Sequence, residues 1–63
     1  MDLFNELIEL SLKEKRGLTI FIGGQTVAGI VVRVIGTHGI EVRSQTYSRI
    51  IIRLDAVEAM ALT

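Results

Sequence analysis

The feature that most constrains this chain is a change of hydrophobic period at Gly17. Before it, Leu3, Phe4, Leu7, Ile8 and Leu10 recur at helical spacing, with Glu6, Glu9 and Lys13 on the other side. After it, the sequence breaks into short β-branched runs punctuated by glycine: "LTIFI", "TVAGIVVRVI", "GIEVRS", "YSRIIIRL" and "VEAMAL". The pattern predicts an amphipathic helix over residues 2–16 followed by five strands over 18–62, all in one domain spanning 1–63. The helix ends agree with this reading. Asp2 caps the start, Lys13, Lys15 and Arg16 favour the C-terminal end of the helix dipole, and Gly17 suits a left-handed stop.

Size turns this pattern into a statement about assembly. A folded chain of 63 residues buries only about 60% of the surface its unfolded form exposes. Small domains compensate with disulfides, a metal or a partner subunit. With no cysteine and a single histidine, His38, the chain can supply neither a disulfide nor a protein-only metal site. Oligomerisation is the remaining route. Hydrophobic residues form 49% of the chain, which excludes disorder and requires a core or an interface. Ile50, Ile51 and Ile52 sharpen the point, because consecutive strand residues face opposite ways and three isoleucines need both faces covered. So short a sheet is expected to curl into a small barrel or to recruit neighbours.

Several function classes are excluded at this level. No apolar run reaches the ~20 residues of a membrane span, and the acidic N-terminus does not read as a signal peptide. A cytoplasmic, soluble protein without membrane contact is expected. Seven basic and seven acidic side chains cancel, so nucleic-acid binding has to be local. The sequence has no carboxylate pair, no nucleophile with a nearby base, and no phosphate loop followed by Lys and Ser or Thr. No enzymatic activity, cofactor, metal or small-molecule substrate is expected. Gly23-Gly24-Gln25 is the triplet that peptide release factors carry at their hydrolytic tip, but that chemistry needs an exposed loop on a much larger body. Between two apolar runs, the glycine pair reads as a two-residue hairpin turn.

One helix followed by five strands, with Gly24, Val27, Gly29, Val31, Val34, His38, Ile40 and Val42 in order, resembles the first motif of the Sm-like proteins. Ile52, Arg53, Asp55 and Val57 resemble the second motif, and the short N-terminal helix is similar to that of the bacterial Hfq type. The resemblance covers nearly the whole chain. It implies a mainly β fold with one N-terminal helix, in which a strongly bent five-stranded antiparallel barrel assembles into a closed ring of about five to seven copies of itself. In such rings the fourth strand, here roughly Tyr47 to Leu54, pairs with the fifth strand of the next copy, here Val57 to Leu62. Ile50, Ile51, Ile52, Val57, Met60 and Leu62 are then the candidate interface.

The resemblance also implies single-stranded RNA as the partner, held near the pore by Thr37, His38, Gly39, Arg53 and Asp55. His38 can stack on a base, and the backbone of the "GTHG" loop can receive a phosphate. Lys13, Lys15 and Arg16 form a weaker basic cluster at the rim. Arg33, Arg43, Arg49 and Arg53 lie in the strand region, where they either meet phosphates or pair with Glu41, Asp55 and Glu58. The departures from the family pattern bear on function. Ile35 and Gly39 stand where the family has its Asp and its uracil-reading Asn, Thr37 stands where a stacking side chain is common, and Leu54 replaces a glycine. They support the alternative reading of a ring that has lost the RNA site and acts as a protein-interaction module.

Overall fold

A computed structural model describes residues 3–63. Helix α1 spans Asn5–Glu14 and is followed by strands β1 (Leu18–Ile22), β2 (Gln25–Ile35), β3 (Gly39–Arg43), β4 (Ile50–Arg53), a single 3-10 turn (Leu54–Ala56) and β5 (Val57–Leu62). The strands form one antiparallel sheet in the order β4-β3-β2-β1-β5. The mainly β architecture with one N-terminal helix therefore stands. The sheet is not closed: β4 and β5 lie at its two ends and do not pair with each other. Among the described residues no helix is long and apolar enough to cross a membrane.

Strand β2 organises the sheet by changing partners along its length. Its first half, Gln25 to Gly29, pairs with β1, and its second half, Ile30 to Ile35, pairs with β3. The switch at Gly29 brings the two halves of the sheet close together. A Cβ at Gly29 would lie 2.5 Å from both the Arg43 carbonyl oxygen and Val42 Cγ1, so only glycine fits there. Gly23 and Gly24 both have positive φ, 59° and 76°, which is the backbone a two-residue hairpin between twisted strands requires.

The core is enclosed between α1 and the sheet. Leu18 and Ile20 on β1, Val31 on β2, Ile40 and Val42 on β3, Ile52 on β4 and Ile8 on the helix are buried together. Alternation on β3 sends Glu41 to the opposite face from Ile40 and Val42. Along the helix, Phe4, Leu7 and Leu12 pack against this cluster. Leu3 does not belong to the stripe, being 87% exposed ahead of the first helical turn, and Leu10 is half-buried outside the core cluster. Their place on the core face is taken by Ser11, which the apolar period passes over.

Ser11 joins the helix to the partner switch. It is fully buried, its hydroxyl donates to the Arg16 carbonyl at 2.7 Å, and it accepts from the Val31 N–H at 3.0 Å. Continuing the β1–β2 register from Leu18 opposite Gly29 would set Arg16 opposite Val31. The hydroxyl therefore occupies the place of a ladder bond that the chain, turning out of the helix, cannot make directly. Among the described residues no buried side-chain nitrogen or oxygen is left unsatisfied.

The helix boundaries differ from the sequence expectation. Its C-cap is Lys15 in the left-handed region (φ 56°), not Gly17, which lies outside that region and whose carbonyl instead accepts from Thr63 N–H at 2.9 Å. Anchoring Arg16 to Ser11 places the reversal two residues earlier, onto a side chain that tolerates it at a cost of about 1 kcal/mol. Phe4 is the N-cap and makes no side-chain capping bond, and the Asp2 cap lies outside the described residues.

Two substitutions test this arrangement by chemical denaturation. Ser11→Ala leaves the Val31 N–H buried without a partner and is expected to cost about 1–3 kcal/mol. Gly29→Ala forces the sheet halves apart and is expected to cost about as much. Wild-type stability in both variants would mean that the helix and the partner switch are not coupled as described.

Candidate nucleic-acid interface

The turn between β2 and β3 and the 3-10 turn after β4 are far apart in sequence and meet in the fold. Gly39 pairs with Arg53 across the β3–β4 ladder, and Leu54 N–H donates to the His38 carbonyl at 2.7 Å. Thr37, His38 and Gly39 are thereby brought beside Arg53 and Asp55, the five residues singled out from the sequence. Gly36, with φ 56°, supplies the left-handed residue that lets the chain reverse in this short space. Thr37, His38, Arg53 and Asp55 are exposed, and Gly39 is half-buried.

The charges at this site are already partly matched. Arg53 Nη2 lies 2.9 Å from Asp55 Oδ2 in a solvent-facing pair. Glu41, on the outer face of β3, receives both Arg33 Nη2 at 3.0 Å and Arg49 Nε at 3.3 Å. Its side chain is only 16% exposed, whereas both arginines remain open to solvent. Opposite Glu41 on β4 is Ile51, so Ile51 and Arg53 share the outer face while Ile52 points into the core. Arg43, two residues beyond Glu41, belongs to the same face.

All four strand-region arginines thus lie on one face of the β2–β3–β4 half of the sheet, accompanied by only two acidic side chains, Glu41 and Asp55. That face carries +2, whereas the other described charged side chains, Glu6, Glu9, Glu14 and Glu58 against Lys13, Lys15 and Arg16, sum to −1. The zero net charge conceals a polarised molecule. This polarity was available in the sequence, since Glu41 and Arg43 alternate with Ile40 and Val42, and Arg53 with Ile52. What the sequence does not give is the face of Arg33, which simple alternation from the buried Val31 would send inward and which the register shift between Val31 and Arg33 sets opposite Glu41 on the outer face.

The second basic cluster is less available. Lys13 pairs with Glu9 at 3.3 Å, and Arg16 lies 3.6 Å from Glu14 while donating to the Thr63 carbonyl from Nε and Nη2 at 3.3 and 3.1 Å. Lys15 makes no ion pair among the described residues. Of the interface candidates, Ile52 is a core residue, Ile50, Val57, Met60 and Leu62 are half-buried against the core, and Ile51 is 53% exposed on an edge strand. The fourth strand is shorter than its sequence run. Ser44 N–H donates to the Tyr47 carbonyl at 2.9 Å, and its hydroxyl accepts from Thr46 and Tyr47 N–H groups, so residues 44–47 turn instead of extending.

No family model and no curated protein sequence matches the chain.

Because the Arg53–Asp55 pair is exposed, Asp55→Asn should change folding stability by less than about 1 kcal/mol. A larger loss in urea denaturation would mean that the pair holds the 3-10 turn in place.

Proposed function

We propose that the chain is an Sm-like subunit of a cytoplasmic homo-oligomeric ring that binds single-stranded RNA as a chaperone or scaffold and has no catalytic activity of its own. In this reading the bent sheet is completed as a small barrel, and β4 of one copy pairs with β5 of the next until the ring closes at about five to seven subunits. Two observations support the assembly. Both end strands have an unpaired edge, and Ile51 leaves an apolar side chain on one of them, a combination that proteins normally protect.

The observation that carries the RNA reading is the meeting of the Gly36–Gly39 turn with Arg53 through the His38–Leu54 bond. It gathers a guanidinium, an imidazole and loop backbone at one exposed spot, groups that suit a phosphate and a stacked base. Repetition around a ring converts weak contacts into avidity. The second reading, a ring that serves as a protein-interaction module, draws support from Asp55 and Glu41, which already neutralise three of the four arginines in part. It also draws on Ile35, Thr37, Gly39 and Leu54, which replace the planar and stacking groups of the family pattern.

Fluorescence anisotropy with short poly-U and poly-A strands separates the two. RNA binding is expected to weaken with log salt at a slope near −0.7 per phosphate contacted. Arg53→Ala and His38→Ala should each weaken it about fivefold or more, and Arg53→Ala should also lower the slope. Absence of binding to either strand at low salt, with the fold intact, would leave the interaction module as the surviving reading.

A further inference from the structure

The partner switch on β2 leaves a backbone edge uncovered in the middle of the sheet. With a two-residue turn at Gly23-Gly24, the bonded pairs of the hairpin are Ile22 with Gln25, Ile20 with Val27 and Leu18 with Gly29. Thr26 and Ala28 fall between them, so their N–H and C=O groups point away from β1. Ile30, two residues on, points the same way and pairs with Arg43 of β3. Had β3 continued in register, Gln45 and Tyr47 would have covered Ala28 and Thr26. The Ser44 turn diverts the chain instead, and neither β1 nor β3 pairs with that side of Thr26 and Ala28.

A groove lies at this position. One part, of about 600 Å³, has Thr26, Val27 and Ala28 on one side and Tyr47, Arg49 and Ile51 among the residues on the other. A second part, of about 560 Å³, continues past Ala28 to Arg43 and Gln45. No acidic residue lines either part, and both arginines belong to the face that carries +2. Tyr47 is 62% exposed beside them.

We infer that this groove binds an extended acidic peptide of a partner protein, which adds a strand to the Thr26–Ala28 edge. The backbone of such a strand takes up the unpaired N–H and C=O groups, and its carboxylates meet Arg43 and Arg49. Alternate apolar side chains rest on Val27 and Tyr47. A peptide is favoured over a nucleic acid because the edge offers donors and acceptors at strand spacing and the groove has one exposed aromatic ring, not a series of them. The site is separate from the Arg53 turn and does not depend on RNA being bound there.

The test uses the full-length chain, labelled with ¹⁵N and observed by NMR. The probes are a capped heptapeptide with Glu at odd and Val at even positions, the same peptide with Lys in place of Glu, and a short poly-U strand. The acidic peptide is expected to shift the Thr26 and Ala28 amides and slow their hydrogen exchange, while the Lys peptide leaves them unchanged. Arg43→Gln and Arg49→Gln should each weaken the acidic peptide roughly two- to fivefold. Ala28→Pro, which removes an outward N–H without touching the β1 ladder, should abolish it with the circular dichroism spectrum retained. If Ala28→Pro unfolds the chain, the amide shifts and the two arginine variants decide. The inference is overturned if those amides do not respond, if the Lys peptide acts equally, if poly-U moves them and displaces the acidic peptide, or if they are already protected by self-association without peptide. Failure of the RNA titration leaves this result standing, and the reverse also holds.

Discussion

The structure depends on one strand serving two partners in turn. Because β2 gives its first half to β1 and its second half to β3, the sheet must bend where the partners change, and the bend creates a concave side deep enough for a core. Gly29 allows the close approach that the bend requires, and Ser11 satisfies the N–H that the change of partner leaves behind. A neutral hydroxyl serves here because it can donate and accept at once, to Arg16 on one side and from Val31 on the other. The helix is thus fixed by a polar link as well as by Ile8, and its attachment and the curvature of the sheet are parts of one arrangement.

Much of this was legible in the residues. The glycine-bounded runs place β1, β2, β3 and β5 to within a residue or two, and the Gly23-Gly24 turn follows from the positive φ that such a hairpin needs. The clustering of Thr37, His38 and Gly39 with Arg53 and Asp55 follows from β3 and β4 being adjacent hairpin strands. Features set by tertiary geometry were not legible. Ser11 reads as a polar interruption of the helix stripe until Val31 is placed above it, and Gly17 reads as a helix stop until the Ser11–Arg16 bond shifts the reversal to Lys15. The short β4 was not legible because the Ser44 turn takes in Tyr47 at one end of its run and the 3-10 turn takes in Leu54 at the other, and both are residues that a strand accommodates.

Charge illustrates the gap between composition and arrangement. Seven positive and seven negative side chains suggest a molecule with no electrostatic preference. Strand alternation, together with the register shift between Val31 and Arg33, nevertheless places Arg33, Arg43, Arg49 and Arg53 on one face with only Glu41 and Asp55. Interactions with anions then depend on whether a ligand competes with these two carboxylates. Glu41 is the stronger competitor, being half-buried and bound to two guanidinium groups, and Asp55 is the weaker, holding Arg53 in an exposed pair. Arg43 makes no ion pair among the described residues and is the least committed of the four.

The same partner switch that bends the sheet leaves β4 and β5 at its ends, each with an open edge, and a chain of 7.0 kDa has little else with which to protect them. The proposed ring would cover both edges. Light scattering coupled to size exclusion, at micromolar concentration and moderate salt, measures it directly. A single species of about five to seven times the chain mass, unchanged on dilution, is expected. A stable monomer of 7.0 kDa would contradict it, because the edges of β4 and β5 would then be open in solution.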